Sequence, residues 1–118
     1  MIKGIKFCSI PVADQQRALE FYTDKLGFAV ATDQAMGDQR WIELRIPGAE
    51  TRVVLWPGQP ERVGTFAALS FFTDNVEKTY ADLSAKGVEF TQKPKTESWG
   101  TSAIFKDSEG NTFVMGTK

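Results

Sequence analysis

The sequence contains no histidine, and this absence removes more chemistry than any other feature of its composition. Histidine is the commonest general base near neutral pH and the commonest ligand for transition metals. The sequence therefore argues against histidine-based proton transfer and against metal sites of the usual histidine-rich kind.

Cysteine, excess charge of one sign and long apolar runs are also scarce. Cys8 is the only cysteine, so no internal disulfide can form, and a reducing, cytoplasmic location is predicted. The 14 basic and 15 acidic residues leave no electrostatic footprint for nucleic acid or an anionic membrane. The longest apolar stretch, residues 66–72, is too short to span a bilayer, and the first residues lack a signal-peptide core. We expect neither a nucleic-acid nor a membrane partner.

The chain of 118 residues, 42% of them hydrophobic, has the size and composition of one globular domain, residues 1–118. Its first half begins with a strand, residues 5–12. A helix over residues 15–26 follows, which Asp14 caps and Gly27 ends. Alternating side chains then predict three strands: residues 28–32, 40–46 and 51–56.

The second half repeats this order after a connector at residues 57–64. A strand over residues 65–73 precedes a helix over residues 76–86, which either Asp74 or Asn75 caps. Further strands are predicted at residues 88–92, 101–106 and 112–116. Asp14 and Gly27 recur as Asp74 and Gly87 at an offset of 60 residues, which indicates a duplicated βαβββ unit. Unit one is placed at about residues 1–56 and unit two at about residues 65–118.

Three segments resemble a known family. They are Asp14 with residues 17–22 (Arg-Ala-Leu-Glu-Phe-Tyr), residues 25–28 (Lys-Leu-Gly-Phe) and residues 107–111 (Asp-Ser-Glu-Gly-Asn). These segments are similar to the vicinal oxygen chelate superfamily of glyoxalases, bleomycin-resistance proteins and extradiol dioxygenases. The resemblance covers essentially the whole chain. It implies an α+β fold in which each βαβββ unit curls into half of a cup of curved mixed sheet, with helices outside. Paired units would enclose a small-molecule site, usually in a homodimer.

The resemblance also assigns positions to four metal ligands, one on the first and one on the last strand of each unit. No His, Gln, Asp or Glu occurs in the first, fourth, fifth or last strand, so a shift of register recovers no ligand. We therefore predict no metal and no cofactor. The implied positions are Cys8, Leu55, Ala68 and Val114.

Strand alternation predicts which side chains line the cup. Cys8 and Ile10 are expected on the cup face of the first strand, with Phe7 and Ser9 turned toward the helix. Trp99 precedes the seventh strand, where a loop would cover the mouth. The predicted ligand-binding residues are Cys8, Trp41, Glu43, Arg45, Leu55, Ser70, Phe72 and Trp99.

Each of these residues also has a plain structural interpretation. Trp41 and Trp99 would stack on a planar ligand, or else pack in the core or in a dimer interface. Glu43 would pair with a ligand cation, but the plain interpretation of both Glu43 and Arg45 is a solvated strand face or a cross-strand ion pair. Cys8 lacks a histidine to take its proton, and packing is its favoured role.

Three functions follow from these residues. The favoured hypothesis is a bleomycin-resistance-like protein that binds a small aromatic or cationic molecule without a catalytic metal. The alternative is a glyoxalase- or dioxygenase-like enzyme that uses an unrecognised metal, or uses Glu43 as a metal-free general base with Arg45 as its electrostatic partner. The third is an interaction module whose cup is filled by its own side chains.

Overall fold

Residues 1–63 fold into a four-stranded sheet with one helix against it. The computed structural model describes residues 1–117, apart from the side chain of Ala68. The sheet order is β1-β4-β3-β2, and only the β1–β4 pair is parallel. The elements are β1 (Phe7–Pro11), α1 (Gln15–Glu20), a π-helical turn (Phe21–Lys25), β2 (Ala29–Met36), β3 (Gln39–Arg45) and β4 (Arg52–Trp56).

The helix covers one face of this sheet, and the packing follows from the alternation of the strands. Helix α1 packs on β3 and β4, and the side chains of Ala18 and Tyr22 are fully buried. The apolar residues that share this helix-covered face are all at most 1% exposed: Ile10, Ile42, Leu44, Val53 and Leu55. Neighbouring residues on each strand therefore belong to the opposite face, which we name the open face.

Residues from Gly64 onward form a second compact unit with the same order of elements. A 3-10 turn (Pro60–Arg62) precedes it. Its sheet has the order β5-β8-β7-β6, and the side chain of Tyr80 packs on Phe90 at the edge of a core that includes Phe105 and Phe113. The elements are β5 (Phe66–Phe72), α2 (Val76–Ala85), β6 (Phe90–Glu97), β7 (Gly100–Lys106) and β8 (Thr112–Gly116).

The predicted strands and helices are found, with longer β2 and β6 than expected. Both strands run into two-residue turns, at Gly37–Asp38 and Ser98–Trp99, so pairing continues to the turn. No helix among residues 1–117 is long and apolar enough to cross a membrane.

The two units differ by one residue within the helical segment. Asp14 accepts a hydrogen bond from the Arg17 amide, and Asn75 accepts one from the Lys78 amide, so the caps are 61 residues apart. The glycines that end the segments, Gly27 and Gly87, are 60 apart, and both have positive φ. The π-helical turn in the first unit takes up the additional residue. Of the two predicted caps in the second unit, Asn75 is therefore the one used.

The turn between β7 and β8 is held by buried polar side chains. Asp107 Oδ1 accepts hydrogen bonds of 2.9 Å from the amides of Glu109 and Asn111, and Asp107 Oδ2 accepts one of 2.9 Å from Asn111 Nδ2. Asn111 Oδ1 in turn accepts a bond of 2.8 Å from the Gly64 amide. Gly110 supplies the positive φ of the turn. One of the segments that carry the family resemblance thus has a structural role.

Candidate ligand-binding site

The open face of the first sheet carries a cluster of three aromatic rings. The indole of Trp41 lies edge-on to the ring of Phe7 at 5.5 Å between centroids, and it lies 5.9 Å from the indole of Trp56. Phe7 is opposite Arg52 in the β1–β4 register, so its ring reaches diagonally across the sheet to meet Trp41. All three side chains are half-buried and leave part of their surface exposed. They form an aromatic ledge, our name for Phe7, Trp41 and Trp56.

Glu43 lies beside this ledge and is almost completely buried, at 8% exposure. Its Oε2 accepts a hydrogen bond of 2.7 Å from Arg52 Nη1, and its Oε1 accepts one of 3.2 Å from Trp41 Nε1. The bond from Arg52 lowers the pKa of the Glu43 carboxyl, against the opposing effect of burial, and the charge of Lys6 acts in the same direction as Arg52. The carboxylate is therefore charged and hydrogen-bonded at both oxygens.

This environment argues against the general-base hypothesis for Glu43. An effective base has a pKa near the working pH, whereas Arg52 holds the pKa of Glu43 below its ordinary value. Both carboxylate oxygens of Glu43 accept hydrogen bonds, so Glu43 would have to break these bonds before it could accept a proton or bind a ligand cation. Glu43 orients the indole of Trp41 instead.

We expect Glu43→Gln to reduce stability by roughly 1 kcal/mol at neutral pH, a value limited by the partial exposure of Arg52. The pKa of the Glu43 carboxyl is lower in the folded protein than its value of 4.5 in the unfolded chain. The carboxylate therefore stabilises the protein fully at a pH above 4.5, and this contribution is lost as the pH falls through the pKa of the folded state. Unfolding in urea between pH 7 and pH 3 should therefore show that the variant loses less of its free energy of unfolding in acid than the wild type does. Glu97→Gln, at an exposed ion pair with Lys95, is the matched control. Identical pH profiles for wild type and Glu43→Gln would contradict the assignment.

Arg45 lies on the open face but is not the partner of Glu43. Its side chain is exposed and forms no hydrogen bond or ion pair with a described residue, whereas Arg52 on the neighbouring strand binds the carboxylate. Arg45 is therefore not the electrostatic partner that the general-base hypothesis gave to Glu43. The cross-strand ion pair considered for Glu43 is found with Arg52, its diagonal neighbour in the β3–β4 register.

Cys8 and Leu55 lie on the side opposite the aromatic ledge. Cys8 is opposite Val53 in the β1–β4 register, Leu55 is opposite Ile10, and Leu55 and Ile10 are at most 1% exposed beneath the helix. The predicted orientation of the first strand was wrong: Phe7 and Ser9, not Cys8 and Ile10, are on the open face. A slip of one residue moves every side chain of a strand to the other face.

In the second unit, Ser70 and Phe72 are on the sheet face opposite α2. Ser70 is opposite Val114 and Phe72 is opposite Gly116, and the side chain of Phe72 is 60% exposed. Trp99, at 70% exposure, occupies the turn between β6 and β7. The side chain of Ala68 lies outside the described residues. The ligand-binding roles of Ser70, Phe72 and Trp99 stay predictions.

The sequence prediction missed Phe7, Arg52 and Trp56. A signal for two of them was present, because Arg52 and Trp56 alternate in β4 with the apolar residues Val53 and Leu55. Placing Leu55 in the site reversed the faces of that strand.

Counting from the helix caps pairs equivalent positions on the first strands of the two units. Phe7 and Ala68 each lie seven residues before a cap, and Ser9 and Ser70 each lie five before. Ser9 is opposite Val54 and Ser70 is opposite Val114, so these valines correspond. These positions carry hydrocarbon side chains or serines, and not the His, Cys, Asp or Glu side chains that hold a metal such as zinc. Within residues 1–117, no group of three or more His, Cys, Asp and Glu converges as a metal site.

Comparison with known proteins agrees with this fold. The family model of the Glyoxalase/Bleomycin resistance protein/Dioxygenase superfamily matches residues 4–115, so the chain belongs to this superfamily. It is 38% identical to the uncharacterized protein YetH of Bacillus subtilis (strain 168), with 98% of each chain covered.

Solved structures give the same result. The chain is similar to TnmS3, an antibiotic binding protein from Streptomyces sp. CB03234, with a TM-score of 0.89, 33% identity, and coverage of 98% of this chain and 96% of that one. It is also similar to a superfamily member from Sphaerobacter thermophilus DSM 20745, with a TM-score of 0.88, 30% identity, and coverage of 99% and 98%.

Proposed function

We propose that this protein binds a small planar aromatic molecule on the open face of its first sheet and releases it unchanged. The observation that carries the proposal is the aromatic ledge, in which Trp41 is fixed between Phe7 and Trp56 and its indole N–H is bonded to Glu43. The superfamily includes metal enzymes and binding proteins, and the similar TnmS3 is described as antibiotic binding. That description supports binding. No group of three or more His, Cys, Asp and Glu side chains converges among residues 1–117, which supports it further.

The ledge suits a flat ligand for physical reasons. The partly exposed indoles of Trp41 and Trp56 provide a large contact area. Trp41 loses little conformational entropy on binding, because its hydrogen bond to Glu43 already fixes its orientation. A surface organised before binding does not lose further freedom when the ligand arrives. Offset stacking on Trp41 or Trp56 is therefore the expected mode of contact.

Three anthracenes substituted at position 2 test the proposal: the carboxylate, the hydroxymethyl and the aminomethyl compound. They share one ring system and carry different charges. We expect at least one to bind with a Kd on the order of 1–100 µM in equilibrium dialysis, and to quench tryptophan fluorescence saturably. Mass spectrometry should recover it unchanged. Absence of binding by all three, or conversion of the bound compound, would contradict the proposal.

A ligand-binding role of Trp99, in the second unit, stays a separate prediction that one substitution tests. Because its side chain is 70% exposed in a turn, Trp99→Ala should leave the unfolding curve unchanged. Weaker binding in that variant would support a contact with the ligand, and unchanged affinity would remove Trp99 from the site. The homodimer and the cytoplasmic location remain predictions.

A further inference from the structure

We propose that the open face selects aromatic ligands that carry an anionic group, which binds between Arg45 and Arg52. The inference rests on the proposed function and assigns a charge to its ligand. It also reverses the cationic ligand considered from the sequence, for which Glu43 was to be the partner.

The two arginines are directly opposite each other on neighbouring strands. Arg45 and Arg52 are partners in the antiparallel β3–β4 register, so their side chains leave the same face of the sheet. Like charges in directly opposed positions destabilise a sheet. An anion bound between them would remove this repulsion, which gives the pair a role in binding that it does not have in folding.

The positive charge at this end of the face exceeds the negative charge. Glu43 is the carboxylate bonded to Arg52, and the charges of Arg52 and Lys6 both act on it. The backbone of Lys6 also lies beside that of Arg52, because the Lys6 carbonyl accepts a hydrogen bond of 3.3 Å from the Arg52 amide. Among these residues, three cations are matched by one carboxylate.

The arginines retain hydrogen-bond donors that a ligand would use. A guanidinium has five N–H donors, and the bond to Glu43 engages Arg52 Nη1. The side chain of Arg45 makes no hydrogen bond or ion pair with a described residue. Two guanidinium groups that leave one face of the sheet side by side are well suited to a carboxylate, because each can donate two parallel hydrogen bonds.

The aromatic ledge lies farther along the same face. Trp41 precedes Arg45 by four residues on β3, which separates their Cα atoms by about 13 Å at the usual rise of a strand. The side chains of Trp41 and Arg45 are both long, so their ends can lie closer together than their Cα atoms. The distance fits a ligand of two or three fused rings with its anionic group at one end.

The three anthracenes test the charge directly. We expect 2-anthracenecarboxylate to bind about 10-fold more tightly than 2-(hydroxymethyl)anthracene, since hydrogen bonds to charged groups typically have this strength. The aminomethyl compound should bind most weakly. Arg45→Gln should reduce the affinity for the carboxylate about 5- to 10-fold, with less than about 2-fold change for the hydroxymethyl compound.

Lys93→Gln is the matched control, because it removes the same charge from an exposed position on β6 in the second unit. It should leave the preference for the carboxylate unchanged. Equal affinity for the three compounds, or equal weakening of all three by Arg45→Gln, would overturn the inference while the proposed binding function stands. Failure of all three to bind the wild-type protein would overturn the proposed function itself.

Discussion

Asp107→Ala is expected to lower the free energy of unfolding by about 3 kcal/mol, the largest stability loss we predict for a single substitution. The carboxylate accepts two backbone N–H groups and the Asn111 amide, and Asp107 and Asn111 are 7% and 1% exposed. Alanine would leave these donors buried without an acceptor, and each such loss costs about 1–3 kcal/mol. Water entering the turn would recover part of the loss.

Urea unfolding followed by far-UV circular dichroism measures this effect. Ser108→Ala is the control within the same turn, because the hydroxyl of the part-buried Ser108 donates only one hydrogen bond, of 2.9 Å, to Glu109 Oε2. That variant should lose less than about 1 kcal/mol. If Asp107→Ala were as stable as Ser108→Ala, the buried network would not stabilise the fold as described.

Trp41→Ala is expected to weaken the binding of 2-anthracenecarboxylate about 10- to 100-fold. The substitution removes the central ring of the ledge, and stacking of one aromatic system on a protein ring contributes about 1–3 kcal/mol. It also removes the contacts with Phe7 and Trp56. Equilibrium dialysis gives the affinity, and circular dichroism at the same temperature verifies that the variant is folded.

Trp41→Phe separates the ring from the hydrogen bond. Both variants lose the bond from Trp41 Nε1 to Glu43, and only phenylalanine keeps a flat ring at this position. We expect Trp41→Phe to bind within about 3-fold of wild type, since most of the stacking area remains. If Trp41→Ala bound the ligand with wild-type affinity, the ligand would bind elsewhere. That conclusion would hold whatever the stability of Trp41→Phe.

The order of elements could be predicted because it depends on local patterns. Caps, glycine ends and period-2 alternation are properties of short segments, and they identified both βαβββ units before any contact was known. The prediction that Trp41 and Glu43 line the cup used the same alternation, and the structure places both on the open face, opposite the buried Ile42 and Leu44.

The parts that could not be predicted depend on one-residue differences and on pairing between strands. The π-helical turn at Phe21–Lys25 adds a residue to the first unit, so an offset counted from the glycines does not apply at the caps. The first strand was assigned the wrong face for a different reason: the resemblance placed Cys8 in the site, whereas the burial of Ile10 shows that this side of β1 lies under the helix. The partner of Glu43 is on another strand, and the sequence does not specify the register that places Arg52 beside it.

A crystal structure of the protein with 2-anthracenecarboxylate tests the account most directly. We predict density for the rings against the indoles of Trp41 and Trp56, with the carboxylate within hydrogen-bond distance of Arg45 and Arg52. Rings on the ledge with the carboxylate turned away from both arginines would contradict the charge assignment alone. Density at any site that does not touch Trp41 would contradict the central claim that the open face of the first sheet binds the ligand.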